Sequence, residues 1–427
     1  MGLAILLGLF FTGVLIGIPV AFAMAISAVA AFVYEGFPML IAFQRITSGV
    51  TIFSLLAIPF FIFAGELMLH GGIARRLVRF ASTLVGHVRG GLASVNIFSS
   101  MLFGGISGSA VADISALGSL MIPVMKEKGY RGDYAVNVTV TSSIAGVVIP
   151  PSHNMIIYAI AAGGGLSISS LFLAGVVPGF LMCVCLAIAA YIIAVRHGYP
   201  SESFPGMREV MVSAAAALPG FVTAVIIVGG VLSGVFTVTE SGAFGAIYAL
   251  VLTGLVYRSL SWQAFKLAVV TSVRTTAMVM ILIGAANAFG YLLALYDVPE
   301  LLATALTTIS DNPLVIILMI NLILLALGMI MDMAALILIC TPIFLPIATG
   351  LGMDPIQFGI MLLMNLGLGL CTPPVGTCLF VGCAVGKVPI EDAIRTIWPF
   401  YIAMLAALLL VAYVPAVSLW LPGVLGG

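Results

Sequence analysis

Two proline pairs interrupt long apolar runs, in Gly146-Val147-Val148-Ile149-Pro150-Pro151-Ser152 and in Gly369-Leu370-Cys371-Thr372-Pro373-Pro374. Proline lacks an N–H and clashes with the carbonyl four residues back, so each pair frees carbonyls inside its run. Those of Gly146, Ile149, Gly369 and Thr372 are examples, and freed carbonyls beside hydroxyls are hard oxygen ligands suited to a desolvated Na⁺. Half-helices starting after Pro151 and Pro374 would aim positive dipole ends at an anion. Two more strings are poor places for continuous helix: Gly105-Ile106-Ser107-Gly108-Ser109 and Gly328-Met329-Ile330-Met331-Asp332. Any one of these motifs alone reads equally well as a packed kink or a close helix contact. Four of them, paired at a constant spacing, favour a binding site.

The surrounding chain identifies the solvent. It has 427 residues, 63% hydrophobic and 7% charged, with a mean hydropathy of +1.29. Soluble domains carry about 25% charged residues, so this is not a soluble enzyme, and disorder needs the opposite composition. Fifteen basic residues balance fifteen acidic ones, leaving no basic face for nucleic acid. Almost any window of ~20 residues is apolar enough to span a bilayer. The fold class is therefore an all-α polytopic membrane protein. Residues 3–33 read as retained membrane helix rather than a cleaved signal, for want of a basic leader and a cleavage site. The six cysteines lie in apolar stretches without a CxxC pair and read as packing residues.

The elements that position the motifs follow from apolar lengths. A run at about 91–125 is long enough for two short helices, with the glycine-rich tip between them, which predicts a re-entrant hairpin. A second hairpin falls at about 313–349, and broken helices at about 134–163 and 357–386. The polar segment 196–211 reads as a linker between halves 1–195 and 212–427. A shift of 223 residues places Gly105 on Gly328, Pro123 on Pro346, Gly129 on Gly352, Gly146 on Gly369, and Pro150-Pro151 on Pro373-Pro374. Most of the identities are Gly or Pro, the residues that fix backbone shape. Loop 74–89 carries Arg75, Arg76, Arg79 and Arg89 without an acid, whereas its counterpart 297–312 carries Asp297, Glu300 and Asp311 without a base. Arginine-rich short loops stay cytoplasmic, so equivalent positions fall on opposite faces. That is an inverted-topology repeat, the architecture of secondary transporters.

Other polar residues divide between a site and ordinary structure. A carboxylate at depth costs at least ~2.5 kcal/mol and is a functional hypothesis by default. Asp332 is the better candidate of two; Asp113 reads equally as a residue that orders the first tip. Glu240 reads as a helix N-terminal residue, and Arg274, near a span's end, as a snorkelling cation. Asn137, Asn154, Asn287 and Asn365 suit either polar contacts or interhelical bonding. Gly105-Ile106-Ser107-Gly108 also fits the G-x-S-G of intramembrane serine proteases, with His153 as base. That reading leaves the repeat, the second Pro-Pro break and Asp332 without a role, and a channel needs no paired breaks.

Longer strings then carry a resemblance. Gly105-Ile106-Ser107-Gly108-Ser109-Ala110-Val111-Ala112-Asp113, Ile122-Pro123, Gly129-Tyr130 and Ile149-Pro150-Pro151-Ser152 belong to it. So do Thr239-Glu240-Ser241-Gly242-Ala243, Asp354-Pro355-Ile356-Gln357-Phe358-Gly359-Ile360, Asn365 and Thr372-Pro373-Pro374-Val375-Gly376. Together they resemble the large membrane subunit of tripartite ATP-independent periplasmic (TRAP) transporters over essentially the whole chain. The resemblance implies sodium-driven secondary uptake of an organic-acid carboxylate, such as a C4-dicarboxylate or sialic acid, by an elevator-type motion. It implies two partners, a small four-helix membrane subunit and a periplasmic substrate-binding protein, and a multi-pass location in the bacterial or archaeal cytoplasmic (inner) membrane. With no four-helix extension after the second half, the chain reads as the unfused form.

About two Na⁺ are implied. One would lie between Ser107 and carbonyls of Gly146, Ile149 and Pro151; the other would pair Gly328 and Asp332 with Gly369 and Thr372. Candidate substrate contacts are Ser109, Asp113, Ser152, Asn154 and Asn365. The repeats differ chemically, since Ser107 falls on Ile330 and Ser109 on Asp332, so the second ion needs a different ligand set. A self-sufficient sodium–carboxylate symporter without a binding protein would use the same inverted repeats.

Overall fold

A computed structural model describes residues 1–425, and these are helical or irregular. The 223-residue shift aligns whole elements. The second arm of the first hairpin, 110–127, falls on Met333–Gly350, and the broken helix beginning at Gly132 falls on Pro355–Leu370. Segment 39–70 falls on Trp262–Leu295, and Ile168–His197 on the segmented run from Ile390 to Leu425. One sequence pattern has thus been folded twice. The first copy breaks 39–70 into Met39–Val50, Phe53–Leu56 and Ala57–His70, where the second keeps one 34-residue helix.

Packing of the two broken helices shows the inversion. A Cβ on Gly386 would meet Val136 at 2.4 Å, and one on Gly382 would meet Val140 at 2.2 Å. Further along, Gly367 faces Ile144 and Gly359 lies against the ring of Tyr158. As one chain rises from 136 to 158 the other falls from 386 to 359, so the equivalent helices run antiparallel. Glycine permits this approach because no side chain separates the backbones. The two hairpins, the two broken helices and Ile168–His197 form one packed group. Ala57–His70, Val238–Val251, Met39–Val50 and Val20–Tyr34 pack on or beside Trp262–Leu295 as another.

Alternating the spans from the arginine-rich end gives a consistent membrane orientation. Arg75, Arg76, Arg79, Arg89, Lys126, Lys128, Arg131, Arg196, Arg208, Arg258, Lys266, Lys387 and Arg395 all fall at one face. The opposite face receives Glu35, Glu240, Asp297, Glu300, Asp311 and Asp354, with Arg45 as its base. Basic short loops mark the cytoplasmic side. A chain of zero net charge is therefore strongly polarised across the membrane.

Several expected boundaries move. The stretch 3–33 is two helices, Gly2–Leu15 and Val20–Tyr34, packed on each other. The arginine-rich "loop" and its acidic counterpart are mostly helix, Ile73–Val85 and Val298–Ile309, linking the two packed groups. Ile73–Val85 buries Ile73, Ala74, Leu77 and Ala81 while Arg75 and Arg79 are exposed and Arg76 is half-buried, an amphipathic pattern that reads as a loop from charge alone. The linker contracts to 198–206, because helix continues through His197 and restarts at Met207. Glu240 completes a capping box with Thr237, the structural role expected of it. Arg274 is exposed and makes no ion pair among the described residues.

This orientation predicts thiol accessibility. In intact cells Asp311→Cys should react with a membrane-impermeant maleimide, whereas Ser201→Cys should react only after permeabilisation. The reverse pattern would invert the assignment of faces.

Candidate functional site

Each hairpin tip meets the break of its own repeat through glycine. A Cβ on Gly104 would lie 2.2 Å from the Cα of Gly146, and one on Gly369 would lie 2.7 Å from the Cα of Gly328. Neither distance admits a methyl group, so both crossings depend on bare backbone. In the first repeat the helix runs through Gly104 and Gly105. It continues to Ser107, turns at Gly108 with φ +62°, and restarts behind Ser109. In the second it ends at Gly328 and restarts behind Asp332. Ser109 and Asp332, equivalent under the shift, both cap the second arm: Ser109 Oγ accepts from the Ala112 N–H and an Asp332 carboxylate oxygen from that of Ala334, at 3.4 and 3.0 Å.

The break in the first repeat follows the proline chemistry closely. Helix ends at Val148 and resumes at His153, with a 53° bend between the pieces. Pro150 and Pro151 stand where N–H groups would reach Gly146 and Val147, and among the described residues no hydrogen bond reaches either carbonyl. Nor does one reach the carbonyls of Ile149 or Pro151. Gly108 packs on this segment: a Cβ there would meet His153 Nδ1 at 3.2 Å and the Pro151 carbonyl oxygen at 3.3 Å. Asn154 Nδ2 donates to the Gly108 carbonyl at 3.4 Å, and buried Ser152 leaves Oγ without a partner among the described residues. Ser107 is buried, with Oγ 3.5 Å from the Ser109 N–H. Ser107, Ser109, Gly146, Ile149, Pro151, Ser152 and Asn154 therefore gather around one tip-to-break contact.

The second break is built differently. The Val375 N–H donates to the Met329 carbonyl at 3.1 Å, tying break to tip. The Gly369 carbonyl, expected to be free, accepts from the Thr372 N–H at 2.9 Å. A tight turn has recovered the bond that Pro373 cannot make. Of the two carbonyls facing the prolines, Leu370's is the one that no hydrogen bond reaches among the described residues. The Thr372 hydroxyl donates to Leu368 O at 2.8 Å, leaving its lone pairs available. The Cys371 carbonyl takes the Tyr401 hydroxyl. Gly328, Gly369, Thr372 and the exposed Asp332 thus frame the second contact.

The remaining candidates separate. Asp113 is wholly buried inside the first hairpin, faces the hydroxyl of Ser100, and leaves both carboxylate oxygens without a partner among the described residues. Its place is between the arms, one turn past the tip. Ser100 bonds Ser142 at 3.0 Å and Asn96 bonds Thr139 at 2.6 Å, so a polar ladder joins the hairpin to the broken helix. Asn365 donates to Asn321 at 2.8 and 2.9 Å in the matching place of the second repeat. Asn137 bonds Ala393 O and Thr396, and Asn287 bonds Arg45 O and Ser48, which is the interhelical role. No hydrogen bond joins Ser107 to His153 in the manner of a nucleophile and base. Among the described residues no three His, Cys, Asp or Glu side chains converge as metal ligands.

Sequence reasoning missed Gly175 and Gly179. A Cβ on Gly175 would lie 2.2 Å from Val148 O, and one on Gly179 would lie 2.3 Å from the Ile149 side chain. They press Ile168–His197 against the first break, and Gly175-Val176-Val177-Pro178-Gly179 is a G-x-x-x-G that could have flagged them.

Residues 7–417 match the family described as "Tripartite ATP-independent periplasmic transporter, DctM component". The sialic acid TRAP transporter large permease of Vibrio cholerae is 40% identical over 417 residues, covering 97% of this chain and 96% of that one. The C4-dicarboxylate TRAP transporter large permease of Rhodobacter capsulatus is 34% identical over 439 residues, covering all of both chains. The solved YdaH transporter of Alcanivorax borkumensis is 14% identical, with a TM-score of 0.62 over 87% of this chain and 86% of that one, a likeness of fold.

The glycine crossings make a direct prediction. Gly104→Ala and Gly369→Ala should each destabilise the purified protein by about 1–3 kcal/mol through overpacking, read as a lower unfolding temperature in detergent. Gly290→Ala, with nothing within 4 Å of its Cβ, should leave it unchanged or slightly raised.

Proposed function

The chain belongs to the DctM-component family of tripartite ATP-independent periplasmic transporters, and from that premise we propose that it carries a carboxylate inward on a sodium gradient. Family membership makes it a multi-pass permease of the inner membrane, working with a small permease and a periplasmic binding protein. Its named relatives move substrates rather than transform them. The observation supporting sodium coupling is the pair of tip-to-break contacts, each combining backbone oxygen with a hydroxyl or carboxylate. In the first, Ser107 Oγ stands with the freed carbonyls of Gly146, Ile149 and Pro151. In the second, Asp332 and Thr372 stand with Gly328, Gly369 and the freed Leu370 carbonyl.

A sodium ion bound at either place supplies the positive charge those oxygens lack. It also fixes the tip against the break, so ion occupancy and hairpin position become linked. Ser109, Ser152 and Asn154, beside the N-terminus of His153–Ala161, offer hydroxyl, amide and backbone donors to a carboxylate. We read the hairpins and broken helices as the moving body and the group around Trp262–Leu295 as its static support, an elevator. The relatives that carry sialic acid and C4-dicarboxylates share the carboxylate, and that shared group is the one proposed here.

The test is uptake into proteoliposomes containing this chain and its small membrane partner, with labelled sialic acid or a C4-dicarboxylate and the periplasmic protein outside. Uptake should require both an inward sodium gradient and the binding protein. Uptake with sodium alone would replace the tripartite reading by a self-sufficient symporter. Ser107→Ala and Asp332→Ala should each lower sodium activation at least tenfold, because each removes one oxygen ligand. Sodium activation unchanged in either variant would remove that residue from the ion sites.

A further inference from the structure

The arginines of the cytoplasmic connector helix enclose a cavity that transport does not explain. About 470 Å³ in volume, it is lined by His70, Gly72, Arg75, Arg76, Arg79 and Ser259. Two of the lining side chains already have acidic neighbours. Arg79 Nη2 lies 2.7 Å from Glu209, and His70 Nε2 lies 3.4 Å from Glu66. Arg76 is held in place without an acid: its guanidinium stacks 3.7 Å over the Tyr257 ring and donates to Gly72 O at 3.0 Å. Arg75 is exposed and makes no ion pair among the described residues. Two uncompensated guanidinium groups thus share one concavity, and planar forked donors match phosphate oxygens.

The surroundings of the cavity indicate where the phosphate comes from. The helix that bears the arginines buries Ile73, Leu77 and Ala81 and leaves Arg75 and Arg79 exposed, as an interfacial helix does. Tyr257, and Trp262 with Lys266 at 5.3 Å over its ring, stand nearby on the same face, the side chains that populate the headgroup level. Thirteen of the basic residues lie at this face, facing the leaflet that carries anionic lipid. The mirror-related helix Val298–Ile309 carries Glu300 and no base, so the outer face has no equivalent. We propose that Arg75 and Arg76 bind the phosphate of an anionic phospholipid from the cytoplasmic leaflet. The lipid would hold down the connector that joins the supporting helices to the first hairpin, on one side of the membrane only.

The experiment is native mass spectrometry of the delipidated chain with its small membrane partner, titrated with phosphatidylglycerol and, separately, phosphatidylcholine. Phosphatidylglycerol adducts should exceed phosphatidylcholine adducts at equal lipid. Arg75→Gln should weaken the phosphatidylglycerol adduct about fivefold, the factor expected for one interfacial arginine, and leave phosphatidylcholine unaffected. Arg75 supports no packing, so this variant should fold even if Arg76→Gln does not. Arg196→Gln, on the same face but outside the cavity, should bind like the parent. Equal adducts of the two lipids, or adducts unaffected by Arg75→Gln, would overturn the proposal. Saturation by inorganic phosphate without a phosphatidylglycerol preference would overturn the lipid assignment and reassign the cavity to a soluble phosphate.

Discussion

A carbonyl that loses its helical partner inside a bilayer must find another, and the protein is organised around that demand. An unpaired polar backbone group in an apolar medium costs about 2–7 kcal/mol, and no water is present at depth to absorb it. Pro150-Pro151 and Pro373-Pro374 impose the loss twice. Irregular backbone of this kind is stable only where other protein covers it or where it lines a water-filled cavity. Covering it is what the hairpin tips do, and what Gly175 and Gly179 do from Ile168–His197.

Close cover requires small residues. Gly104 on Gly146 and Gly328 on Gly369 bring two backbones within the radius of a methyl group, so the tip and break of each repeat behave as one unit. The same device packs the repeats on each other, with Gly382 and Gly386 receiving Val140 and Val136. The symmetry is geometric rather than chemical. The first break leaves the carbonyls of Gly146 and Val147 free, whereas the second recovers Gly369 through Thr372 and leaves Leu370. The two tip-to-break contacts, alike in shape, therefore offer unequal oxygen sets.

Charge supplies the remaining order. Neutral overall, the chain places its bases at one face and most acids without basic neighbours at the other. The two connector helices show the effect at small scale: equivalent in position, one bears arginines and the other Glu300. An inverted repeat puts the same fold against two different leaflets, and the surface charge of the two connectors differs accordingly.

The sequence alone was sufficient for the solvent, the repeat and the breaks, because composition, Gly/Pro spacing and arginine placement act locally or along the chain. The 223-residue shift applies to nearly every helix in the fold, and Glu240 capped its helix as its position required. Tertiary structure decided the rest. Whether Asp113 faces an opening or the hairpin interior depends on how two arms lie together, and it is interior. Whether the Gly369 carbonyl stays free depends on how tightly a turn closes, and it closes onto Thr372. The choice of Gly104 rather than Gly105 as the crossing point depends on which face of a helix meets a backbone 42 residues on. Such contacts join residues that no local rule relates, so their energies appear only when the chain has packed.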